Sequence, residues 1–258
     1  MKNCREEWFD SDKKVAVSIV DVTDAAQELA RGHLAGPTSA YFLAKALAAA
    51  ALLGGETSEK DETLIIQMKC KGPLGGFNVE CTSDGALRGY TEKKILDEFD
   101  GMGKPNEKKV VGERQIQVTR SVPGRIISQA ISTSLDCYLA GSLQRKATIQ
   151  LEAAVSDEVE VAYARGILVE EMPDGKDTGV LGVKFDSLAV SSRNLLGKLG
   201  LERSELKRTT PLKFACRCSP ERALATLSAL GKKERAELPE KIDVTCHMCG
   251  RTYTVKTR

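Results

Sequence analysis

Four cysteines constrain this chain more than any other feature: Cys216-Arg217-Cys218, a gap of 27 residues, then Cys246-His247-Met248-Cys249-Gly250. Two tight pairs of soft sulfur donors are what a tetrahedral Zn2+ site requires, with Zn–S bonds near ~2.3 Å. The short turn inside Cys246–Cys249 lets both sulfurs face one ion, and Gly250 can take the positive-φ conformation that commonly follows such a knuckle. Cys216 and Cys218 stand at i and i+2, so in extended backbone they share a face. The surrounding segment also needs help to fold. From Leu212 onward only about a dozen large apolar side chains are spread over roughly 50 residues, too few to hold a domain alone. Zinc contributes ~10–16 kcal/mol to the folding of such modules. Zn2+ on Cys216, Cys218, Cys246 and Cys249 is therefore the expected cofactor.

Charge and composition exclude several classes. Among 258 residues, Lys+Arg minus Asp+Glu is 38 − 36 = +2, so no whole-chain field calls for nucleic acid or membrane. The distribution is uneven: Lys207 to Arg258 carries 12 basic and 5 acidic residues, +7, which leaves −5 for the rest. No apolar stretch at the start reads as a secretory signal. The longest uncharged apolar run, Ala46 to Leu53, is far short of the ~20 residues of a membrane span. A soluble cytoplasmic protein is expected. In that setting clustered cysteines are more often metal-binding or reactive than a static disulfide framework. Cys4, Cys70, Cys81 and Cys137 are scattered and read as ordinary thiols. No acid–base or nucleophile constellation stands out, so no enzyme is expected. Gly72 to Gly76 lacks a following Lys-Ser/Thr and reads as a turn, not a phosphate cradle. The competing class is a structural zinc ribbon that binds nucleic acid. The basic C-terminal fifth suits it, but Phe214 and Tyr253 are the only aromatics there, short of an aromatic–basic stripe.

The local patterns predict an α+β fold. Lys14–Val22 alternates as a strand, and Asp24 offers an N-cap for a helix through about Arg31. Thr38–Leu53 is a helix started near Pro37 and stopped by Gly54-Gly55; only Lys45 interrupts its apolar surface, which places it in the core. Strands are expected over Thr63–Cys70, Gly76–Thr82, Ala86–Tyr90, Glu113–Val122, Lys146–Val155 and Val159–Met172, with a helix over Ala130–Leu143. Strands and helices run in blocks, which favours α+β over a doubly wound sheet. Residues 175–211 are punctuated by Gly175, Gly179, Gly182, Gly197 and Gly200. They read either as a connector docking its apolar groups on a neighbour or as short helices of the main domain. The expected division is a core over 1–174, a flexible linker over 175–211 and a small zinc-binding domain over 212–258. In the last, Ser219-Pro220-Glu221 starts a helix that stops by Gly231, and Ile242–Thr245 and Thr252–Val255 are short strands around the knuckle.

Each cysteine pair is also spaced to close a small-ring disulfide. Metal-bound sulfur stays deprotonated, and Lys213, Arg217, Arg222, His247 and Arg251 would offset the charge of four thiolates. The thiolate is the form that peroxide attacks. Local disulfides would eject the metal while constraining the unfolded chain far less than the metal stabilised the folded one. A redox switch is chemically sensible beside the plainer alternative of a permanently structural knuckle. His247 reads as a solvated knuckle residue, since four thiolates complete the shell, and His33 as a helix-end residue.

Phe214-Ala-Cys216-Arg-Cys218-Ser-Pro-Glu-Arg222, Leu230-Gly231 and Val244-Thr-Cys246-His-Met-Cys249-Gly-Arg-Thr-Tyr253 together resemble the heat-shock protein 33 family of redox-regulated holdase chaperones. Pro37-Thr-Ser-Ala40, Gly72-Pro-Leu-Gly75, Asp84-Gly85 and Arg88-Gly89-Tyr90 are similar to that family's core, and the likeness spans nearly the whole chain. It implies a mixed α/β core, a mobile linker and a C-terminal zinc domain. It implies, too, that the reduced zinc-bound form is inactive. Oxidation then forms the disulfides Cys216–Cys218 and Cys246–Cys249, zinc is released, and a homodimer holds unfolding client proteins without ATP.

Overall fold

The computed structural model describes residues 2–57, 59–175, 177–228, 230, 231, 234 and 237–256. Its organising element is an apolar helix. α1 (Thr23–His33) leads through a short turn into α2 (Pro37–Leu53), and every α2 residue except Pro37 and Lys45 is buried. A helix apolar on all sides needs neighbours on all sides, and two sheets supply them. One sheet has the order β10-β1-β2-β9-β8, from β1 (Cys4–Asp10), β2 (Val15–Asp21), β8 (Lys146–Val155), β9 (Val161–Glu171) and β10 (Glu205–Pro211), all antiparallel. The other has the order β11-β5-β4-β3-β6-β7, from β3 (Thr63–Cys70), β4 (Gly76–Thr82), β5 (Ala86–Thr91), β6 (Arg114–Val122), β7 (Arg125–Ser132) and β11 (Lys213–Phe214). Among the described residues only the β11–β5 pair is parallel. α2 touches β9, β8 and β2 on one side and β3, β4 and β5 on the other, so Leu43, Leu47 and Leu52 are sealed among Val20, Leu64, Ile66 and Leu87. Although α2 extended to Glu56 is long and apolar enough to cross a membrane, 89% of that window is buried inside this fold.

The α+β architecture agrees with the expectation, and the strands over Thr63–Cys70, Gly76–Thr82 and Lys146–Val155 have the expected bounds. Two local readings are corrected. The expected helix over Ala130–Leu143 is instead the end of β7, then α4 (Leu135–Cys137) and a wide turn over Tyr138–Ser142. Isoleucine-rich Arg125–Ser132 is held in register against β6, and Ser134 caps α4 by accepting from the Cys137 N–H. Asp24 is not the cap of α1 but lies in its first turn. The carboxylate that meets the first amide is Asp21, which accepts from the Thr23 N–H and hydroxyl. A four-residue helix, α3 (Glu107–Val110), is too short to show in the sequence pattern; Asn106 caps it.

Residues 177–211 lie along the first sheet. They form a 3-10 turn over Val180–Gly182, α5 (Ser192–Lys198) and β10, which pairs with β1. Val180, Leu188, Leu195, Leu196, Leu199 and Leu201 pack on Trp8, Val15, Val17, Ile19, Ile167 and Val169. The Arg193 guanidinium covers the Trp8 ring at 4.6 Å. Arg165 fixes the path by donating to the Leu188 and Val190 carbonyls at 3.1 and 2.9 Å.

The C-terminal segment contributes β11, α6 (Pro220–Ser228) and the hairpin of β12 (Lys241–Thr245) and β13 (Thr252–Lys256). Part of the stretch expected to end the helix by Gly231 lies outside the described residues. The knuckle of the hairpin sits on the C-terminal end of α1. Gly250 has φ +73°, and a Cβ there would lie 1.9 Å from the Gly32 carbonyl oxygen; a Cβ on Gly32 would lie 2.6 Å from the Cys249 carbonyl oxygen. Two backbones meet where no side chain fits. Leu47→Ala should destabilise the protein by ~2–5 kcal/mol in urea unfolding, and a loss under ~1 kcal/mol would show that α2 does not clamp the sheets. Gly250→Ala should lift the knuckle from α1, seen as faster amide hydrogen exchange at Gly32 and His33; unchanged exchange would contradict the close approach.

Candidate metal centre

Three pieces of local structure bring the four sulfurs together. Cys216 and Cys218 follow β11, whose pairing with β5 is continued by the Ala215 N–H donating to the Leu87 carbonyl at 3.1 Å. Ser219 ends this stretch by capping α6, accepting from the Arg222 N–H at 3.2 Å. Cys246 and Cys249 occupy the turn between β12 and β13, closed by the Gly250 N–H donating to the Cys246 carbonyl at 2.8 Å. The four Sγ atoms lie within 4.8 Å of one another, with Cys216 to Cys246 at 3.8 Å and Cys218 to Cys249 at 3.5 Å. A tetrahedron with Zn–S bonds of ~2.3 Å has S–S edges of about 3.8 Å. The four residues expected from spacing are thus assembled as a cage that fits a metal ion of this kind. All eight cysteines are free thiols. The two short S–S distances cross between the pairs, so proximity does not single out Cys216–Cys218 and Cys246–Cys249 as the disulfide partners.

The cage is half-buried, with Cys249 fully buried. Burial opposes ionisation of Cys216, but hydrogen bonds from the Cys218 backbone and thiol, from Arg88 and from Cys249 outweigh it and bring the thiol down to about 7. Burial pushes Cys246 and Cys249 up; Cys216 adds to the effect at both, while Cys249 opposes it at Cys246. Buried thiols whose ionisation desolvation opposes are what a divalent cation deprotonates. The Tyr253 hydroxyl, 3.1 Å from Cys218 Sγ and 3.2 Å from its carbonyl oxygen, is a further polar neighbour that spacing does not indicate.

Of the cations expected around the cage, Arg251 interacts with Cys218 and Cys249, while two others are engaged elsewhere. Arg217 reaches Glu80 at 3.9 Å, and Arg222 donates to the Arg217 carbonyl at 2.7 Å. A further guanidinium, that of Arg88 from β5 of the core, approaches sulfur, with Nη1 3.9 Å from Cys216 Sγ. The signal available in the sequence is the Arg88-Gly89-Tyr90 motif, which carries no hint of its distant partner. His247 is exposed, as expected, and its ring stands edge-on to Tyr90 at 4.1 Å. His33 does end α1 but is 5% exposed. The other thiols lie away from the cage. Burial raises Cys4 and Cys70 and pushes Cys81 up to about 12, while exposed Cys137 is lowered by the Ser134 and Thr133 side chains.

Comparison with known proteins agrees with this arrangement. A family model described as Hsp33 protein matches residues 8–256. A 33 kDa chaperonin of Thermus thermophilus is 30% identical over 271 residues, covering 92% of this chain and 79% of that protein. The 33 kDa chaperonin of Symbiobacterium thermophilum is 30% identical over 255 residues, covering 90% and 86%. The crystal structure of the 33 kDa chaperonin (Hsp33 homolog) of Thermotoga maritima superposes with a TM-score of 0.88 at 20% identity, covering 100% of this chain and 96% of the other, a likeness of fold. The match runs from the first strand through all four cysteines to the last, and the chain belongs to the Hsp33 family.

Proposed function

We propose that this protein is an ATP-independent holdase chaperone of the cytoplasm, inactive when reduced and zinc-bound and activated by disulfide formation. The observation that carries the reading is the convergence of four sulfurs within 4.8 Å in a segment with little core of its own. Eight free thiols suit a reducing compartment. The reading divides the chain into a client-binding and dimerising core over 1–174, a linker over 175–211 and a zinc-binding switch over 212–258, with Cys216, Cys218, Cys246 and Cys249 as ligands. Zn2+, when bound, would hold all four sulfurs as thiolates and tie the two halves of the switch together.

The chain's own residues do the rest. In each pair one sulfur attacks hydrogen peroxide; the O–O bond breaks, hydroxide leaves and a sulfenic acid forms. The second sulfur attacks the first, the S–S bond closes and the remaining oxygen leaves as water. Each pair thus gives up two electrons and loses its ligating charge. The proposed pairing, Cys216–Cys218 and Cys246–Cys249, is the one that the family resemblance implies. Without four ligands the switch keeps too few apolar groups to stay folded, and the end of residues 177–211 loses its anchor at β11. Those residues cover Trp8, Val17, Ile19 and Val169, and an apolar face of that kind, once bared, would hold unfolding clients by burial alone, with no nucleotide.

Light scattering from a heat-unfolded client, with reduced and peroxide-treated protein, tests the proposal. Suppression only after oxidation is expected; equal suppression in both states removes the switch, and none in either removes the chaperone. Trp8 is the chain's single tryptophan, so its emission should shift to the red on oxidation; a fixed emission maximum would count against the uncovered face. Cys246→Ser should leave zinc substoichiometric and residues 212–256 protease-sensitive with the core intact. Full zinc loading and a resistant tail would remove Cys246 as a ligand.

A further inference from the structure

Three consecutive residues of β5 each hold a different part of the C-terminal unit. Arg88 and Tyr90, two residues apart, share a face of the strand. Arg88 is clamped by Glu80, with Nε and Nη2 at 2.6 and 2.5 Å from Oε2, leaving Nη1 toward Cys216 Sγ at 3.9 Å. The Gly89 N–H donates to the Met248 carbonyl at 3.1 Å. The Gly89 carbonyl oxygen lies 2.9 Å from His33 Nε2. Lys94 Nζ stands 2.7 Å from His33 Nδ1, so Nδ1 accepts from the ammonium and Nε2–H donates to Gly89. Only glycine fits at 89, because a Cβ would lie 2.5 Å from the Asn78 carbonyl oxygen. Tyr90 meets the His247 ring.

We infer that Arg88-Gly89-Tyr90 is the latch by which the core senses the oxidation state of the sulfur cage, with Arg88 as the positioning residue that holds Cys216 while it is a thiolate. The inference rests on the thiol-oxidation reading above. A guanidinium already oriented by a carboxylate makes its strongest remaining hydrogen bond to an anion. When Cys216 and Cys218 pass two electrons to peroxide and close an S–S bond, Cys216 becomes neutral and the Nη1 contact loses its charge. The Gly89–Met248 bond and the Tyr90–His247 contact, left without it, then no longer hold the knuckle. Conversely, an N–H aimed at the sulfur draws on the electron pair that attacks peroxide, so the latch also sets the threshold for oxidation.

The test uses the full-length, zinc-loaded chain. In Arg88→Gln, still reduced, the Gly89 amide should exchange about tenfold faster, the scale of a lost charge-assisted hydrogen bond. Thiol loss under peroxide should be several-fold faster than in wild type, and Arg88→Lys should recover part of both effects. Gly89 exchange and thiol loss unchanged in Arg88→Gln overturn the inference, as does acceleration that Lys does not reduce. Should Arg88→Gln misfold, the wild type decides: Gly89 still protected after Cys216 is oxidised overturns it. If wild-type thiols do not react with peroxide, the redox reading fails, and the reduced-state exchange of Arg88→Gln still decides the latch.

Discussion

Convergence of four sulfurs within reach of one cation is the constraint on which residues 212–256 depend. Of the thiols gathered within 4.8 Å, burial pushes Cys246 and Cys249 up, while hydrogen bonds bring Cys216 down. A cage of this kind is satisfied by a metal or by loss of electrons, and both outcomes remove the protons. The first joins β11 to the β12–β13 hairpin across 27 intervening residues. The second, with the pairing proposed above, would close only small local rings and leave the two halves unconnected. A larger domain would tolerate the change; this one has no core in reserve.

The core is built on the opposite principle. α2 is sealed between two sheets by dispersion and burial, a source of stability that electron transfer at sulfur does not touch. Its charged exceptions are compensated. Arg5, 2% exposed, donates to the Ala51 carbonyl at 2.9 Å and to Glu7, and Glu62, fully buried, pairs with Arg120 at 2.6 Å. The contrast between a permanent apolar core and a conditional sulfur-held tail is what a two-state device needs: one part must stay while the other goes.

The sulfur site is legible in the sequence because its signal is local. Spacing alone assembles Cys216 with Cys218 and Cys246 with Cys249, and the fold brings the pairs together. α2 is legible for a similar reason, since seventeen residues with one charge leave few alternatives to a buried helix. β1 is not legible. Arg5, Glu6 and Glu7 make its text polar, and its place between β2 and β10 becomes understandable only once their ionic and hydrogen-bonding partners are seen. The end of β7 reads as helical because Ile131, Leu135 and Leu139, four residues apart, fit a helical period, whereas the register with β6 decides the strand. Arg88 lies 128 residues from Cys216; no local window on the chain contains both.

β5 would be the rim of its sheet were it not for the tail. Gly85 and Leu87 receive the amides of Lys213 and Ala215, and Gly89 continues the ladder to Met248. A bare strand rim recruits other strands without regard to sequence. Pairing with the tail blunts that rim, and on the proposed oxidation the blunting would go at the same moment as the tail's hold. Stickiness would then be rationed by the same event that makes it useful.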